Sequence, residues 1–190
     1  MIDDTLDGLT MLVAHPDDEV LFGWAVLKHA KKIICCANDL NHPRMWGKDR
    51  KEAFFEVCKL VGAEGICLDN NCDFHTLGGL TGELSKFIDS VYSEIKNENV
   101  LFTHNGWGEY GHLDHILVNT IAKNSGKTII TTDIVRNIGW YPVFGWDLGN
   151  HFRECVIDRE FYEKCKEIYV RHRCWTWHTP DIEKVRLYFG

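Results

Sequence analysis

Apolar positions along this chain follow two alternating rhythms. Thr10-Met11-Leu12-Val13-Ala14 is a short, nearly continuous apolar run, the pattern of a strand buried on both faces. The next apolar residues, Val20, Leu21, Trp24 and Leu27, return every three or four positions and predict a helix. Lys32 to Ala37 reads as a second strand. From Asp49 to Val61, the residues Ala53, Phe54, Val57, Leu60 and Val61 mark one helical face, and Gly62 supplies its stop. Ile66-Cys67-Leu68 predicts a third strand. Leu80, Leu84, Phe87, Ile88, Val91 and Ile95 predict another helix, and Val100 to Thr103 a fourth strand. Ile116 to Ala122 continues as helix and Thr128 to Thr132 as strand. This alternation calls for a mostly parallel sheet with right-handed crossovers and helices on both faces. Beyond Gly139 the order is less regular. Asp158 can cap a helix carrying Phe161, Cys165, Ile168 and Tyr169, and Thr179-Pro180 has the form of an N-cap and first-turn proline for a final helix. No repeat or linker-like stretch interrupts the chain, so residues 1–190 read as one α/β domain.

Composition narrows the class. Lys and Arg total 21 against 28 Asp and Glu, a formal net charge of −7. That balance excludes a nucleic-acid groove as the main surface, so no nucleic-acid partner is expected. No apolar run approaches the roughly 20 residues needed to span a bilayer, so no transmembrane segment is expected. The acidic start, Met1 to Asp7, lacks the basic region of a secretory signal. The 8 cysteines are scattered, several inside apolar-periodic stretches, which suits reduced core residues in a cytoplasmic protein. The oligomeric state is not readable from these patterns.

In sheets of this kind, ligands bind beyond the carboxyl ends of the strands. Two polar segments stand there: Ala14-His15-Pro16-Asp17-Asp18-Glu19 after the first strand, and His104 through His115 after the fourth. Pro16 keeps His15 extended, and Asp18 returns to the same side if a helical turn begins there. With His115 as third ligand, two imidazoles and one carboxylate leave a fourth position for water, the composition of a catalytic zinc site. Asp17 is then the natural general base, and His112 a proton donor or oxyanion stabiliser. As helix-terminus acids, Asp17, Asp18 and Asp114 would need no metal. A cap, however, has no use for His15 ahead of the proline. Trp107 and Tyr110 suit stacking on a sugar face, and Arg44 and Arg50 suit a substrate hydroxyl or phosphate.

The pair Ala14-His15-Pro16-Asp17-Asp18-Glu19 and Tyr110-Gly111-His112-Leu113-Asp114-His115 resembles the signature motifs of the LmbE-like (PIG-L) metal-dependent deacetylases. Arg50-Lys51-Glu52-Ala53 and Leu60-Val61-Gly62 resemble that family's Arg-x-Glu helix and its ending. The resemblance implies a Rossmann-like fold and zinc held by His15, Asp18 and His115, with iron(II) able to replace it. It implies Asp17 as base, His112 at the tetrahedral intermediate, Asp114 orienting a histidine and Tyr110 assisting at the oxyanion. The substrate it implies is a small N-acylated amino sugar conjugate, usually N-acetylated.

Rival readings remain open at this point. Gly106-x-Gly108-x-x-Gly111 with Asp133 spells a dinucleotide fingerprint, though Trp107 and Glu109 stand where a pyrophosphate must approach. His15-x-Asp17 with His115 fits an iron facial triad, which in oxygenases belongs to β-rich folds. An amidase of the same metal class on another N-acyl or thiol–sugar conjugate, or a sugar-binding module, uses the same groups.

Overall fold

The structure is a computed structural model that describes residues 6–37, 47–68, 81–134, 151–175 and 183–190. Its strands are β1 (Leu9–Val13), β2 (Ala30–Cys35), β3 (Glu64–Cys67), β4 (Val100–Thr103), β5 (Thr128–Thr132), β6 (Phe152–Val156) and β7 (Lys184–Phe189). Its helices are α1 (Asp18–Leu21), α2 (Trp24–Leu27), α3 (Gly47–Val61), α4 (Thr81–Ile95), α5 (Gly108–Gly111), α6 (Leu113–Asn124) and α7 (Arg159–Arg171). The strands form one sheet in the order β3-β2-β1-β4-β5-β7-β6. β1 to β5 pair in parallel, while β7 runs antiparallel to both β5 and β6. The expected mostly parallel, Rossmann-like sheet is therefore present, with an antiparallel pair added at one edge.

Why both faces are covered follows from the period of two along the central strands. Met11 and Val13 of β1 and Ile33 and Cys35 of β2 pack with Val20, Phe54, Val57 and Tyr169 from α1, α3 and α7. The intervening Leu12, Ala14, Ile34 and Cys36 pack on the other side with Phe87, Val91, Val118 and Ile121 from α4 and α6. Burial on both sides is what makes β1 an unbroken apolar run. Truncating a core ring such as Phe54, wholly buried, would cost about 3–5 kcal/mol.

Two expectations change. The helix expected around Val20 to Leu27 is divided into α1 and α2 at Gly23. A β-carbon at Gly23 would run into the Met11 side chain and sit 2.8 Å from the Glu19 carbonyl oxygen, so glycine allows this turn to lie tight on the sheet. The final helix is also not continued through the C-terminus. Thr179-Pro180 lies outside the described residues, and Lys184–Phe189 is a strand with Val185 and Leu187 buried in alternation. Its period of two, completed by pairing with β5 and β6, outweighs the local cap signal.

Strand order reverses between β1 and β4. Chain leaving β1 turns toward β2, and chain leaving β4 toward β5. The crevice between those two strand ends is where such a sheet leaves room for a ligand, and both polar segments emerge there.

Candidate metal centre at the strand tips

The two segments are tied together at their roots. The Ala14 N–H donates to Nε2 of His104 at 2.9 Å. Beyond this tie the chain after β1 turns sharply: Asp17 has φ 107°, a left-handed conformation that ordinary residues avoid. Its N–H donates to Glu19 Oε2 at 3.0 Å, and Glu19 Oε1 accepts the Tyr169 hydroxyl at 2.5 Å. A tyrosine of α7 thus braces the turn that presents Asp17 and Asp18. The other segment turns by two successive left-handed residues, Gly108 (φ 60°) and Glu109 (φ 58°), before His112 caps α6.

Asp17, Asp18, Asp114 and His115 are buried, and His15 and His112 nearly so. Asp18 Oδ2 accepts the His15 N–H at 2.8 Å and lies 3.4 Å from both His15 Nδ1 and His115 Nε2. Those two separations are long for hydrogen bonds. They match the distance of about 3.4 Å between ligands on a tetrahedral ion with bonds of about 2.1 Å. His115 Nε2 is buried and has no hydrogen-bond partner among the described residues. Two trios have ligand atoms within 4.8 Å of one another: His15, His112 and His115, and Asp18, His104 and His115.

Hydrogen bonds sort these candidates. His104 accepts the Ala14 N–H on Nε2 and meets Glu109 Oε2 through Nδ1 at 3.0 Å, so both nitrogens are engaged. Burial lowers its pKa, but Glu109 and Asp18 raise it further, to about 9. Its Nε2 also lies 3.3 Å from Asp18 Oδ2, while Nδ1 is turned to Glu109. His112 accepts the Asp114 N–H on Nδ1 at 3.2 Å, which places its proton on Nε2. His15 meets Asp114 Oδ2 through Nε2 at 2.8 Å, leaving Nδ1 on the Asp18 side. The set that the sequence suggests, His15, Asp18 and His115, draws members from both trios and is neither of them.

Electrostatics follow from burial. Burial raises the Asp17 carboxyl to about 7; Arg50 pulls it down and Asp18 pushes it up. Asp18 stays well below the usual carboxylate range, because His115 and His104 outweigh its desolvation. His112 is lowered to about 3 by burial and by His15 and His115, and so remains neutral. Burial raises the Tyr110 hydroxyl, which keeps its proton, and burial pushes Glu19 up to about 8.

Tyr110 packs against His112 and His115, with ring centroids at 5.5 and 5.4 Å. Arg50 donates to Asp17 Oδ1 at 2.7 Å, so its guanidinium is engaged by the carboxylate. Trp107 sits part-buried beside the second turn, its backbone N–H donating to Asn105 Oδ1 at 3.0 Å. Arg44 lies outside the described residues. Four further residues lacked any sequence-assigned role: His104 and Glu109 in the second turn, Glu19 in the first, and Tyr169 on α7. A carboxylate between two histidines was the available signal for Glu109; nothing local marked Tyr169.

A family model described as GlcNAc-PI de-N-acetylase (PIG-L) matches residues 10–125. The chain belongs to that family. It is 27% identical over 128 residues to uncharacterized protein L374 of Acanthamoeba polyphaga mimivirus, covering 60% of this chain and 54% of that protein. The chain thus spans about half the length of this curated relative. Among solved structures, the A40926 pseudoaglycone deacetylase Dbv21 aligns at a TM-score of 0.60 and 14% identity, covering 88% of this chain and 81% of its own. The N,N'-diacetylchitobiose deacetylase of Pyrococcus horikoshii aligns at 0.59 and 17%, covering 92% and 72%. GalB, the 4-carboxy-2-hydroxymuconate hydratase of Pseudomonas putida KT2440, aligns at 0.54 and 13%, covering 96% and 95%. At these identities the likeness establishes the shared fold. PIG-L membership and this arrangement of donors leave the dinucleotide and iron-triad readings without support.

Proposed function

We propose that this chain is a metal-dependent N-deacetylase that hydrolyses the acetamide of an N-acetylglucosamine-type amino sugar conjugate, with His15, Asp18 and His115 holding the metal. The observation that carries this reading is the buried lone pair of His115 Nε2, 3.4 Å from an Asp18 oxygen that is equally far from His15 Nδ1. Zinc there, or iron(II), would act as a Lewis acid that lowers the pKa of bound water toward about 7 and polarises the amide carbonyl.

The protein's own groups supply the rest. Arg50 occupies Asp17 Oδ1, while Oδ2 is buried with no partner among the described residues. Oδ2 is thus the oxygen that takes the proton from the attacking water. A carboxyl near 7 is suited both to accept that proton and to release it to the departing amine. His112, neutral with its proton on Nε2, donates a hydrogen bond to the developing oxyanion; this assigns it stabilisation and leaves proton delivery to Asp17. The Tyr110 hydroxyl stands as a second donor. Asp114 orients His15. Water oxygen bonds to the carbonyl carbon, the C–N bond breaks, and acetate and a free amine leave.

Arg50 belongs to Asp17 in this account, and Trp107 is the aromatic available to a sugar face. The core thiols fit a reducing, cytoplasmic setting, and no described helix is long and apolar enough to cross a membrane. The deacetylase neighbours named above support the substrate class. GalB, a hydratase by name, marks the alternative on the same fold. An acetate-release screen on the zinc-loaded protein, over N-acetylglucosamine conjugates including N,N'-diacetylchitobiose, decides between them. The expected result is acetate and free amine in equal amounts, lost on chelation and in Asp17→Ala. A metal-loaded protein that releases no acetate from any conjugate would overturn the reading.

A further inference from the structure

We propose that Glu109 is a positioning residue for the metal, fixing His115 in the tautomer whose Nε2 lone pair faces Asp18 and His15. The inference rests on the metal reading above and adds to it a residue for which the sequence suggested no role. Glu109 is wholly buried on α5, and its left-handed backbone brings its carboxylate back beneath the two strand tips. There, Oε2 meets His115 Nδ1 at 2.7 Å and His104 Nδ1 at 3.0 Å, while Oε1 accepts the Asn105 N–H at 3.0 Å. The two imidazoles stack with centroids 3.8 Å apart and planes inclined by 20°, so one oxygen reaches both rings.

Glu109 decides where the His115 proton lies. His104 meets the Ala14 N–H on Nε2, with Asp18 Oδ2 3.3 Å away, and turns an Nδ1 proton toward Glu109. An ionised carboxylate accepts and cannot donate, so His115 must also carry its proton on Nδ1. Its Nε2 is left with a lone pair and no partner among the described residues. The Ala14 backbone just beyond β1, His104, Glu109 and His115 thus form one hydrogen-bonded path ending on the atom assigned to the metal. Asn105 anchors it from the other side: its Nδ2 donates to the Ile134 carbonyl at 2.7 Å, and its Oδ1 accepts the Glu109 N–H at 3.2 Å. A carboxylate behind a ligating histidine fixes the ring and raises its basicity, and its loss typically costs about 10–100-fold in metal affinity.

Glutamine cannot restore the network. With its oxygen toward the imidazoles, its amide hydrogens face the Asn105 N–H; turned over, they face both Nδ1–H groups. The test is zinc affinity by competition with a chromophoric chelator at neutral pH for the wild type, Glu109→Gln, Glu109→Ala and the ligand variant His115→Ala. Circular dichroism on each apoprotein confirms folding. The expected order is wild type tightest, Glu109→Gln and Glu109→Ala weaker by about 10–100-fold, and His115→Ala weakest. In the zinc-loaded wild type, histidine ¹⁵N NMR should show His115 protonated on Nδ1 and metal-bound through Nε2, a readout that does not depend on a variant folding. Zinc on His115 Nδ1, or wild-type affinity in folded Glu109→Gln, overturns this inference while leaving the metal reading intact. A wild type that binds no zinc overturns both.

Discussion

Acids, histidines and arginines meet in two places among the described residues, with opposite consequences. On the outer face of α3 and α7, Glu56 accepts from Arg171 at 2.6 Å and meets His172 Nε2 at 2.9 Å, beside an open groove of about 1020 Å³. At the strand tips, Asp17, Asp18, Glu109 and His115 lie in the interior. The groove is roomy, yet water reaches its charges, and such pairs are individually weak. The tips enclose theirs, so each donor and acceptor there needs a partner, and the few atoms left without one become informative. We assign function to the second region because burial, rather than the number of charges or the size of the depression, gives a side chain an unusual proton affinity or an unsatisfied lone pair.

Four substitutions sharpen that contrast. The largest effect is expected at Asp18: Asp18→Ala should abolish zinc binding at micromolar metal, read by equilibrium dialysis. Next, Asp17→Asn should retain the metal while acetate release falls by about 10²–10⁴-fold, separating base from ligand. Tyr169→Phe comes third. It removes the hydroxyl from Glu19 Oε1 and should destabilise the fold by about 1–3 kcal/mol, or about 2–4 °C in Tm per kcal/mol for a chain of this size, measured by thermal unfolding. Glu56→Gln should do least, no more than about 1 kcal/mol for an exposed pair. The sign of its pH dependence is fixed. Hydrogen bonds from Arg171 and His172 hold Glu56 below its ordinary value of 4.5. Its contribution is therefore present above pH 4.5 and is lost as pH falls through the lowered value, so wild type and variant should converge in acid. An effect of Glu56→Gln as large as that of Tyr169→Phe would erase the distinction between the two regions.

Much of this was legible in the sequence, for reasons that also mark the limit. The β1 run and the three- and four-residue spacing in α3 and α4 report burial, and burial is written in side-chain type. The two strand-tip segments are legible because sheet topology places strand ends together whatever the loops do. Hydrogen-bond direction is not written locally. Glu109 stands six residues before His115, a spacing with no helical or strand meaning, and a pair of left-handed residues is needed to make them meet. Glu19 and Tyr169 are 150 positions apart and are joined by the packing of α7 on the sheet. Arg50 adds a contact of the same kind: its charge suits a substrate hydroxyl or phosphate, and it also donates to Asp17, 33 positions earlier. At the C-terminus, the alternation of Val185 and Leu187 gains its meaning from the antiparallel partners of β7, which lie far away in sequence.

The most direct measurement is an anomalous difference map at the zinc edge from crystals of the zinc-loaded protein. The account predicts one strong peak within about 2.0–2.2 Å of His15 Nδ1, an Asp18 carboxylate oxygen and His115 Nε2, with His104 and His112 outside the coordination sphere. A peak ligated by His112 or His104, or no peak between the strand tips, would contradict it.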